Sequence, residues 1–478
     1  MSETSATAAA LEPTASPKHL VITTPPPTPN GPLHLGHLSG PYIAGDIAIR
    51  AARARGHHVL AMSGLDEHQN YVATAARVAG VTEAELIERH GGAIRRAMAA
   101  ARIGYDVFLQ PTLDADYRRG TIGLLDELLA TGALADTEVR SAVCGTCDRT
   151  LHHSYVSGSC ATCGAAACGG TCEGCGSLVT AADLTDPVCT ACGSAPQYVT
   201  HRAVVLSLER YRDAITQTWA HGYTSPQVRA LVSRLLTSRL PDVTLTYPTD
   251  WGIRTDALGD GHRVDVWAEM GLGYLYAVGR HINPQAGNGL ADLVGTWESV
   301  DEVWHFLGMD NAFYYAVLFP ALFAAAGLPA TKLRGIVSNE FLRLAGSKFS
   351  TSRNHAIWAA EFLADEDPAT VRLYASWNRP DHHQSDFSAA AYHAFARTLA
   401  TQTDANAAAS ALSGIDTARA DTALQLPTFD PAIAVRSLWP VPTASQNAGP
   451  EDTAPTADDT FADALRAVVT GTPAHPAL

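Results

Sequence analysis

The chain has 478 residues, 46% of them hydrophobic, and a formal net charge of −15. No stretch reaches the roughly 18 apolar residues of a membrane-spanning helix, and the acidic balance counts modestly against a nucleic-acid partner, whose phosphates need neutralising. Residues 1–18 are rich in Ala, Thr, Ser and Pro and lack the basic start of a secretory signal. We expect a disordered lead followed by two or three domains of a cytoplasmic protein with no membrane partner.

Residues 19–135 alternate strand-like and helix-like patterns. The β-branched run Leu20–Thr24 predicts a strand and 38–55 a helix, followed by a second strand at 58–63 and a second helix at 83–102. This alternation predicts an α/β fold with a parallel sheet and helices on both faces. In such sheets ligands bind at the carboxyl ends of the strands.

The first strand runs into a motif with two histidines, Thr-Pro-Asn-Gly-Pro-Leu-His-Leu-Gly-His at residues 28–37. His34 and His37 lie three residues apart at a predicted helix start. There, two imidazole donors and free backbone N–H groups would converge on one point, which suits a phosphate.

The next segment is rich in cysteine, and eight of the nine cysteines form four C-x-x-C pairs: Cys144/Cys147, Cys160/Cys163, Cys172/Cys175 and Cys189/Cys192. Two such pairs make one closed four-thiolate zinc site, and a cytoplasmic protein keeps thiols reduced. We predict two structural zinc sites without catalytic metal, in a segment (140–195) without a conventional core. Redox chemistry and a metal-free insertion remain alternatives; His152 and His153 are interpreted as surface residues.

A strand-helix pattern returns later in the chain. Residues 202–240 are predicted to be helical, 303–307 and 335–337 to be strands, and 312–326 to be a helix. A Gly- and Ser-rich turn then carries Lys348-Phe349-Ser350-Thr351-Ser352. Because the chain has only three lysines, a lysine among three hydroxyls stands out as a candidate to close on phosphates.

The final segment changes in composition. Residues 389–412 predict one helix, and from about residue 413 Ala, Thr, Asp and Pro dominate. We interpret residues 391–478 as a short helical segment with a low-complexity tail.

Together, the two runs at 34–37 and 348–352 resemble the signature motifs of class I aminoacyl-tRNA synthetases. The context, Pro-Asn-Gly-Pro at 29–32 and Gly-Leu-Asp-Glu-His at 64–68, is most similar to methionyl-tRNA synthetases. The resemblance implies a Rossmann-like catalytic domain with its first half at 19–135. A zinc-knuckle insertion would follow at 136–200, and 201–390 would hold the rest of the connective region and the second catalytic half.

This resemblance implies nested cysteine pairs, the second with the third and the first with the fourth. It also implies an anticodon-binding helical bundle after the catalytic core, which we expect to be absent or truncated here. The implied cofactors are ATP, magnesium and zinc.

The resemblance further implies that the carboxylate of an amino acid attacks the α-phosphate of ATP. Expected catalytic residues are His34, His37 and Lys348. The residues expected to contact ATP are Gly36, Gly308, Asp310, Ser350 and Ser352. Those expected to contact the amino acid are Pro26, Thr28, Asp66, Trp267, Met270 and Tyr274. The alternative role of His34 and His37 is helix capping. Asp66 could instead cap the helix that follows it, and Asp310 the end of a strand. Trp267 and Tyr274 could instead be plain core residues.

Four residues depart from the family pattern. Thr351 replaces a second loop lysine, while Pro26, Thr28 and Met270 replace a leucine, a tyrosine and an alanine. The amino acid therefore stays open, since apolar shape discriminates by only about 1–3 kcal/mol per methylene.

Three functions follow from this resemblance. We expect first an enzyme that transfers the activated amino acid to a small N-hydroxylated amine without tRNA, as in hydrazine-forming natural-product pathways, with any cupin partner a separate protein. The alternative is a short methionyl-tRNA synthetase. A non-catalytic zinc-knuckle binding protein is the third.

Overall fold

The computed structural model describes residues 16–259, 261–350, 355–407, 415–439 and 459–472. Its first part alternates strands and helices: β1 (His19–Thr23), α1 (Leu35–His37), α2 (Ile43–Ala54), β2 (His58–Gly64), α3 (Asn70–Ala79), α4 (Glu83–Ala100), β3 (Val107–Leu109) and α5 (Ala115–Ala130). The helix predicted over 38–55 begins with a π-helical turn, Leu38–Tyr42, that contains Pro41. Proline cannot donate a backbone hydrogen bond, so the regular helix starts only after it.

The cysteine-rich insertion consists of short strands: β4 (Ala135–Cys144), β5 (Arg149–Thr150), β6 (Val156–Cys160), β7 (Ala166–Cys168), β8 (Gly170–Thr171), β9 (Leu178–Val179), β10 (Leu184–Cys189) and β11 (Gln197–Ser207). Contrary to expectation, it has a small core, in which Leu151, Tyr155 and Val156 are buried beside the thiols. The side chain of Asn70 ties the insertion to α3: its Oδ1 accepts the Ser154 backbone N–H at 3.0 Å. The insertion is thereby held against the first α/β segment.

The next elements are α6 (Arg212–His221), β12 (Tyr223–Thr224), α7 (Pro226–Leu235), β13 (Asp242–Thr244), β14 (Thr246–Pro248), β15 (His262–Val264), α8 (Val266–Ile282), α9 (Leu290–Thr296), β16 (Glu302–Gly308), α10 (Phe319–Ala325), β17 (Leu333–Asn339), β18 (Leu342–Leu344), β19 (Ser347–Lys348), α11 (Ala359–Asp365), α12 (Pro368–Trp377) and β20 (Ser385–Phe387). The helix predicted from residue 202 was wrong at its start. Residues 202–207 belong to β11, which pairs with β4 in an antiparallel ladder.

A parallel sheet of six strands lies at the centre of the described residues, in the order β12-β17-β16-β1-β2-β3. The chain leaves the central β1 toward β2 on one side and later returns to β16 on the other. Leu20 and Ile22 join one buried cluster and Val21 another, because successive strand side chains point to opposite faces. The predicted α/β class, with a parallel sheet covered on both faces, is confirmed.

The C-terminal part contains the predicted helix, α13 (Ala389–Ala407), and also helices that the sequence did not predict: α14 (Thr417–Ala423), α15 (Pro431–Leu438) and α16 (Asp459–Thr470). Leu438 and Leu465 are buried in the same cluster as residues of α2 and α12. Beyond α13, the described residues of 391–478 therefore form short helices that pack on the α/β part, and the low-complexity tail stays a prediction, because residues such as 440–458 lie outside the described residues. None of the described helices is long and apolar enough to span a membrane.

Candidate active site

A cleft of about 560 Å³ opens at the carboxyl edge of the central sheet. Its walls come from the segments that follow four neighbouring strands, including Pro25–His34 after β1, Asp66 after β2, Asp310 after β16 and Lys348 after β17. The edge predicted from the strand pattern is therefore where the chain gathers its polar side chains.

His34 and His37 form a reciprocal capping box at the start of α1. The His37 N–H donates to Nδ1 of His34 at 3.3 Å, and the His34 N–H donates to Nδ1 of His37 at 3.1 Å. A ring nitrogen that accepts a backbone N–H is unprotonated, so each neutral ring carries its proton on Nε2. Capping and ligand binding are thus compatible, because the cap leaves one N–H donor on each ring.

Both imidazoles are neutral at physiological pH. Burial, His37 and Lys348 lower the pKa of His34 to about 2, and burial and Lys348 lower the pKa of His37 to about 4. The rings stack with centroids 3.7 Å apart. They can therefore donate hydrogen bonds to a phosphate over a wide pH range.

Lys348 lies on β19, in the same cleft as the two histidines. Its Nζ lies 2.7 Å from Oε2 of Glu173 and 3.8 Å from the ring centroid of Phe341. Its charge is also a cause of the lowered pKa of both histidines. The structure thus brings together two runs that are more than three hundred residues apart.

The remaining nucleotide candidates lie around these three groups. A Cβ on Gly36 would lie 3.1 Å from the His34 ring, and one on Gly308 would lie 2.5 Å from Oδ1 of Asp310. Gly308, Asp310 and Ser350 line the cleft. Ser352 lies outside the described residues.

Asp66 is a buried carboxylate in the cleft. Its Oδ2 accepts a hydrogen bond from Thr28 Oγ1 at 3.0 Å, and its Oδ1 has no hydrogen-bond partner among the described residues. Burial raises the pKa of Asp66 to about 7. A cationic ligand group would supply the missing partner.

Four of the other amino-acid candidates, Pro26, Thr28, Trp267 and Met270, line the cleft as well, but Tyr274 does not. Tyr274 lies deeper in the core, where its hydroxyl is 2.8 Å from that of Tyr315. The Tyr315 hydroxyl in turn donates to Met270 Sδ at 3.5 Å. Met270, which lines the cleft, therefore contacts the tyrosine pair through Tyr315.

The family model described as tRNA synthetases class I (M) matches residues 20–403. The chain belongs to this family. The methionine–tRNA ligase of Flavobacterium psychrophilum is 31% identical over 384 residues, which are 78% of this chain and 55% of that protein. That of Bacillus mycoides is 29% identical over 368 residues, 76% of this chain and 66% of that protein. The chain spans about half the length of the first of these curated relatives.

The fold of this class I synthetase chain also resembles a solved structure, Mycobacterium tuberculosis methionyl-tRNA synthetase in complex with methionyl-adenylate. The TM-score is 0.66 at 23% identity, over 89% of this chain and 82% of that one. The likeness supports the α/β architecture described above.

The eight paired cysteines of this class I synthetase chain form two groups. Cys144, Cys147, Cys189 and Cys192 lie together, and so do Cys160, Cys163, Cys172 and Cys175. The nesting that the resemblance implies is therefore confirmed for the thiol positions. Sulfur pairs lie 3.4–3.9 Å apart, such as Cys160 and Cys175 at 3.9 Å. These separations fit a tetrahedral zinc with bonds of about 2.3 Å, whose ligands are roughly 3.8 Å apart.

Several cleft residues were not expected from the sequence, among them Glu173 and His153. His153 is mostly buried and pairs with Asp265 at 2.5 Å, while His152 stacks on Tyr247. The interpretation of both histidines as surface residues was wrong, and neither belongs to a cysteine group. Only the spatial docking of the insertion brings these residues to the cleft, so no local sequence signal marks them.

Proposed function

We propose that this chain activates an amino acid with ATP to form an aminoacyl adenylate. A carboxylate oxygen of the amino acid attacks the α-phosphorus of ATP, a new P–O bond forms, and the bond to the departing pyrophosphate breaks. The observation that supports this most strongly is the meeting of His34, His37 and Lys348 in one cleft beside the buried carboxylate of Asp66.

The three basic side chains divide the work by charge. Neutral His34 and His37 each offer an Nε2–H donor to phosphate oxygens, while Lys348 supplies a positive charge for the leaving pyrophosphate. Charge develops on the phosphates in such reactions, so catalysis is mostly positioning and electrostatic stabilisation, and the nucleotide binds as its magnesium complex.

Asp66 is the group that we assign to the substrate ammonium. Its Oδ1, which has no hydrogen-bond partner among the described residues, accepts a hydrogen bond from the ammonium. The positive charge of the ammonium favours the ionised carboxylate and offsets part of the free-energy cost of burying it. Trp267 and Met270 then bound the space for the substrate side chain. The cysteine groups would hold structural zinc in closed four-thiolate sites, which leave no position for a substrate.

The amino acid and acceptor that the comparisons favour are methionine and tRNA, because the relatives described above are named methionine–tRNA ligases. Transfer to a small N-hydroxylated amine, with a separate cupin partner, stays a prediction without support from these relatives. Charge gives no strong preference, since a global −15 still permits a local basic path for tRNA.

Amino-acid-dependent exchange of pyrophosphate into ATP tests the proposal, across a panel of amino acids and with and without tRNA. We expect exchange with methionine and methionylation of tRNA. Exchange with another amino acid and no tRNA charging would favour the small acceptor. The absence of exchange by folded, zinc-loaded protein with every amino acid would contradict the enzyme assignment.

A further inference from the structure

The inner cysteine group (Cys160, Cys163, Cys172 and Cys175) reaches the cleft through a short segment, residues 168–173. Thr171 Oγ1 donates to the backbone oxygen of Asp310 at 2.8 Å. Two residues further, Glu173 Oε2 lies 2.7 Å from Lys348 Nζ. The insertion therefore contacts both a nucleotide candidate after β16 and the lysine after β17.

The backbone of Glu173 is more constrained than its side chain. Glu173 stands inside the Cys172-Glu-Gly-Cys175 turn, where a metal between the flanking thiolates would fix the backbone. Its side chain is 58% exposed and that of Lys348 is 34% exposed. Exposed ion pairs contribute little to stability, so a competing anion can replace the carboxylate at little cost.

We propose that Glu173 is a positioning residue that holds Lys348 at the edge of the cleft and yields it to the triphosphate when ATP binds. The inference rests on the proposed function, because it needs a polyanion as the incoming partner. The carboxylate and the phosphates compete for one ammonium, and they repel each other within the cleft.

Asp310 adds a second reason for this exchange. Burial is the largest cause of the raised pKa of Asp310. The charge of Lys348 lowers that pKa, and the charge of Glu173 raises it further. Before the nucleotide binds, the carboxylates of Glu173 and Asp310 therefore both interact with the charge of Lys348. A triphosphate that recruits Lys348 must displace Glu173, the more exposed and less constrained partner.

The test is an ATP titration of amino-acid-dependent pyrophosphate exchange with the zinc-loaded full chain and its Glu173→Gln and Glu173→Asp variants. We expect Glu173→Gln to lower the KM for ATP about two- to fivefold, the range of an exposed ion pair, with kcat unchanged. Glu173→Asp should stay near the wild-type value. Glu138→Gln is the matched control, because Glu138 is exposed on β4 of the same insertion and does not line the cleft.

Binding of an α,β-methylene ATP analogue, measured by calorimetry, separates this inference from the proposed function. Tighter analogue binding by Glu173→Gln than by wild type and by Glu138→Gln supports the exchange of partners, even if no amino acid gives turnover. Equal or weaker binding overturns it. A raised KM together with a lowered kcat also overturns it, since Glu173 would then assist Lys348 in the transition state.

Discussion

Two ion pairs join distant segments of this chain at the same distance but in opposite surroundings. Arg372 Nη2 on α12 lies 2.7 Å from Asp46 Oδ2 on α2, with side chains that are 0% and 3% exposed. Lys348 and Glu173 also lie 2.7 Å apart, with side chains that are 34% and 58% exposed. Burial decides what each pair can do.

The buried pair fastens the fold. Arg372 also donates to the backbone oxygens of Val469 and Ala101, so one guanidinium joins α16, α2 and the end of α4. The exposed pair joins the cysteine-rich insertion to β19, and its lysine lines the cleft, where a ligand can reach it. A buried charge that loses its partner is costly, whereas an exposed one is solvated.

The largest expected effect is on stability. Asp46→Ala leaves the fully buried Arg372 without its carboxylate and should lower the free energy of unfolding by about 3–5 kcal/mol. Glu173→Ala, the matched change in the exposed pair, should cost under about 1 kcal/mol. Urea unfolding of both variants measures the difference, and equal losses would remove the distinction between the two pairs.

The second effect is on the rate of the reaction and leaves the stability of the protein unchanged. Lys348→Ala should slow pyrophosphate exchange by about 100- to 1,000-fold, the usual loss for one group that stabilises developing charge. Its melting temperature should stay at the wild-type value, because its side chain is part of an exposed pair. Lys348→Arg keeps the charge and serves as the control. A Lys348→Ala variant that melts early but keeps its exchange rate would reverse the assignment.

Asp66 is the intermediate case, since it is buried like Asp46 but forms no ion pair among the described residues. Its pKa rises from an ordinary 3.8 to about 7, so the native state binds the proton more tightly than the unfolded chain does. Stability should therefore fall as pH rises from about 4 to about 7 and stay low above that range.

Asp66→Asn removes this cost and should stabilise the protein at pH 8 by about 2 kcal/mol, while raising the KM for the amino acid. In the wild type, the KM should also rise as pH falls below about 7, because the carboxylate loses its charge. Thermal melts and exchange kinetics from pH 5 to 8 measure both. If Asp66→Asn instead lowers the free energy of unfolding at pH 8, the buried charge of Asp66 does not destabilise the wild type.

The smallest expected effect involves no charge. Met270→Ala removes a side chain that lines the cleft and contacts the Tyr315 hydroxyl, so it enlarges the cleft there. It should change the ratio of kcat/KM between a long and a short aliphatic amino acid by about tenfold in favour of the long one. The pyrophosphate exchange panel measures this ratio, and an unchanged ratio would place the substrate side chain elsewhere.

How much could be predicted from the sequence depended on whether the signal was local. The strand before residue 28, the paired histidines and the nested thiols follow from local patterns and from a family resemblance. Glu173 and the Asp46–Arg372 pair were missed, because each acts through a partner far away in the chain. The short C-terminal helices were missed because packing rather than composition stabilises them.

Tyr274 shows the limit of a motif match. The motif predicts a contact between Tyr274 and the amino acid, and that contact stays a prediction; in the structure the Tyr274 hydroxyl contacts that of Tyr315, which in turn donates to Met270 Sδ. A sequence motif identifies the residue but not the depth at which it lies. The substitution at residue 270 and the position of Tyr274 therefore have to be considered together.

The most direct test of the central claim is a double-mutant cycle between His37 and Lys348, measured by amino-acid-dependent pyrophosphate exchange. If both groups act on one triphosphate, His37→Ala and Lys348→Ala should each slow exchange by about 100-fold or more, and the double variant should lose far less than the product. Single variants that exchange at the wild-type rate, or losses that multiply in full, would contradict a shared phosphate site.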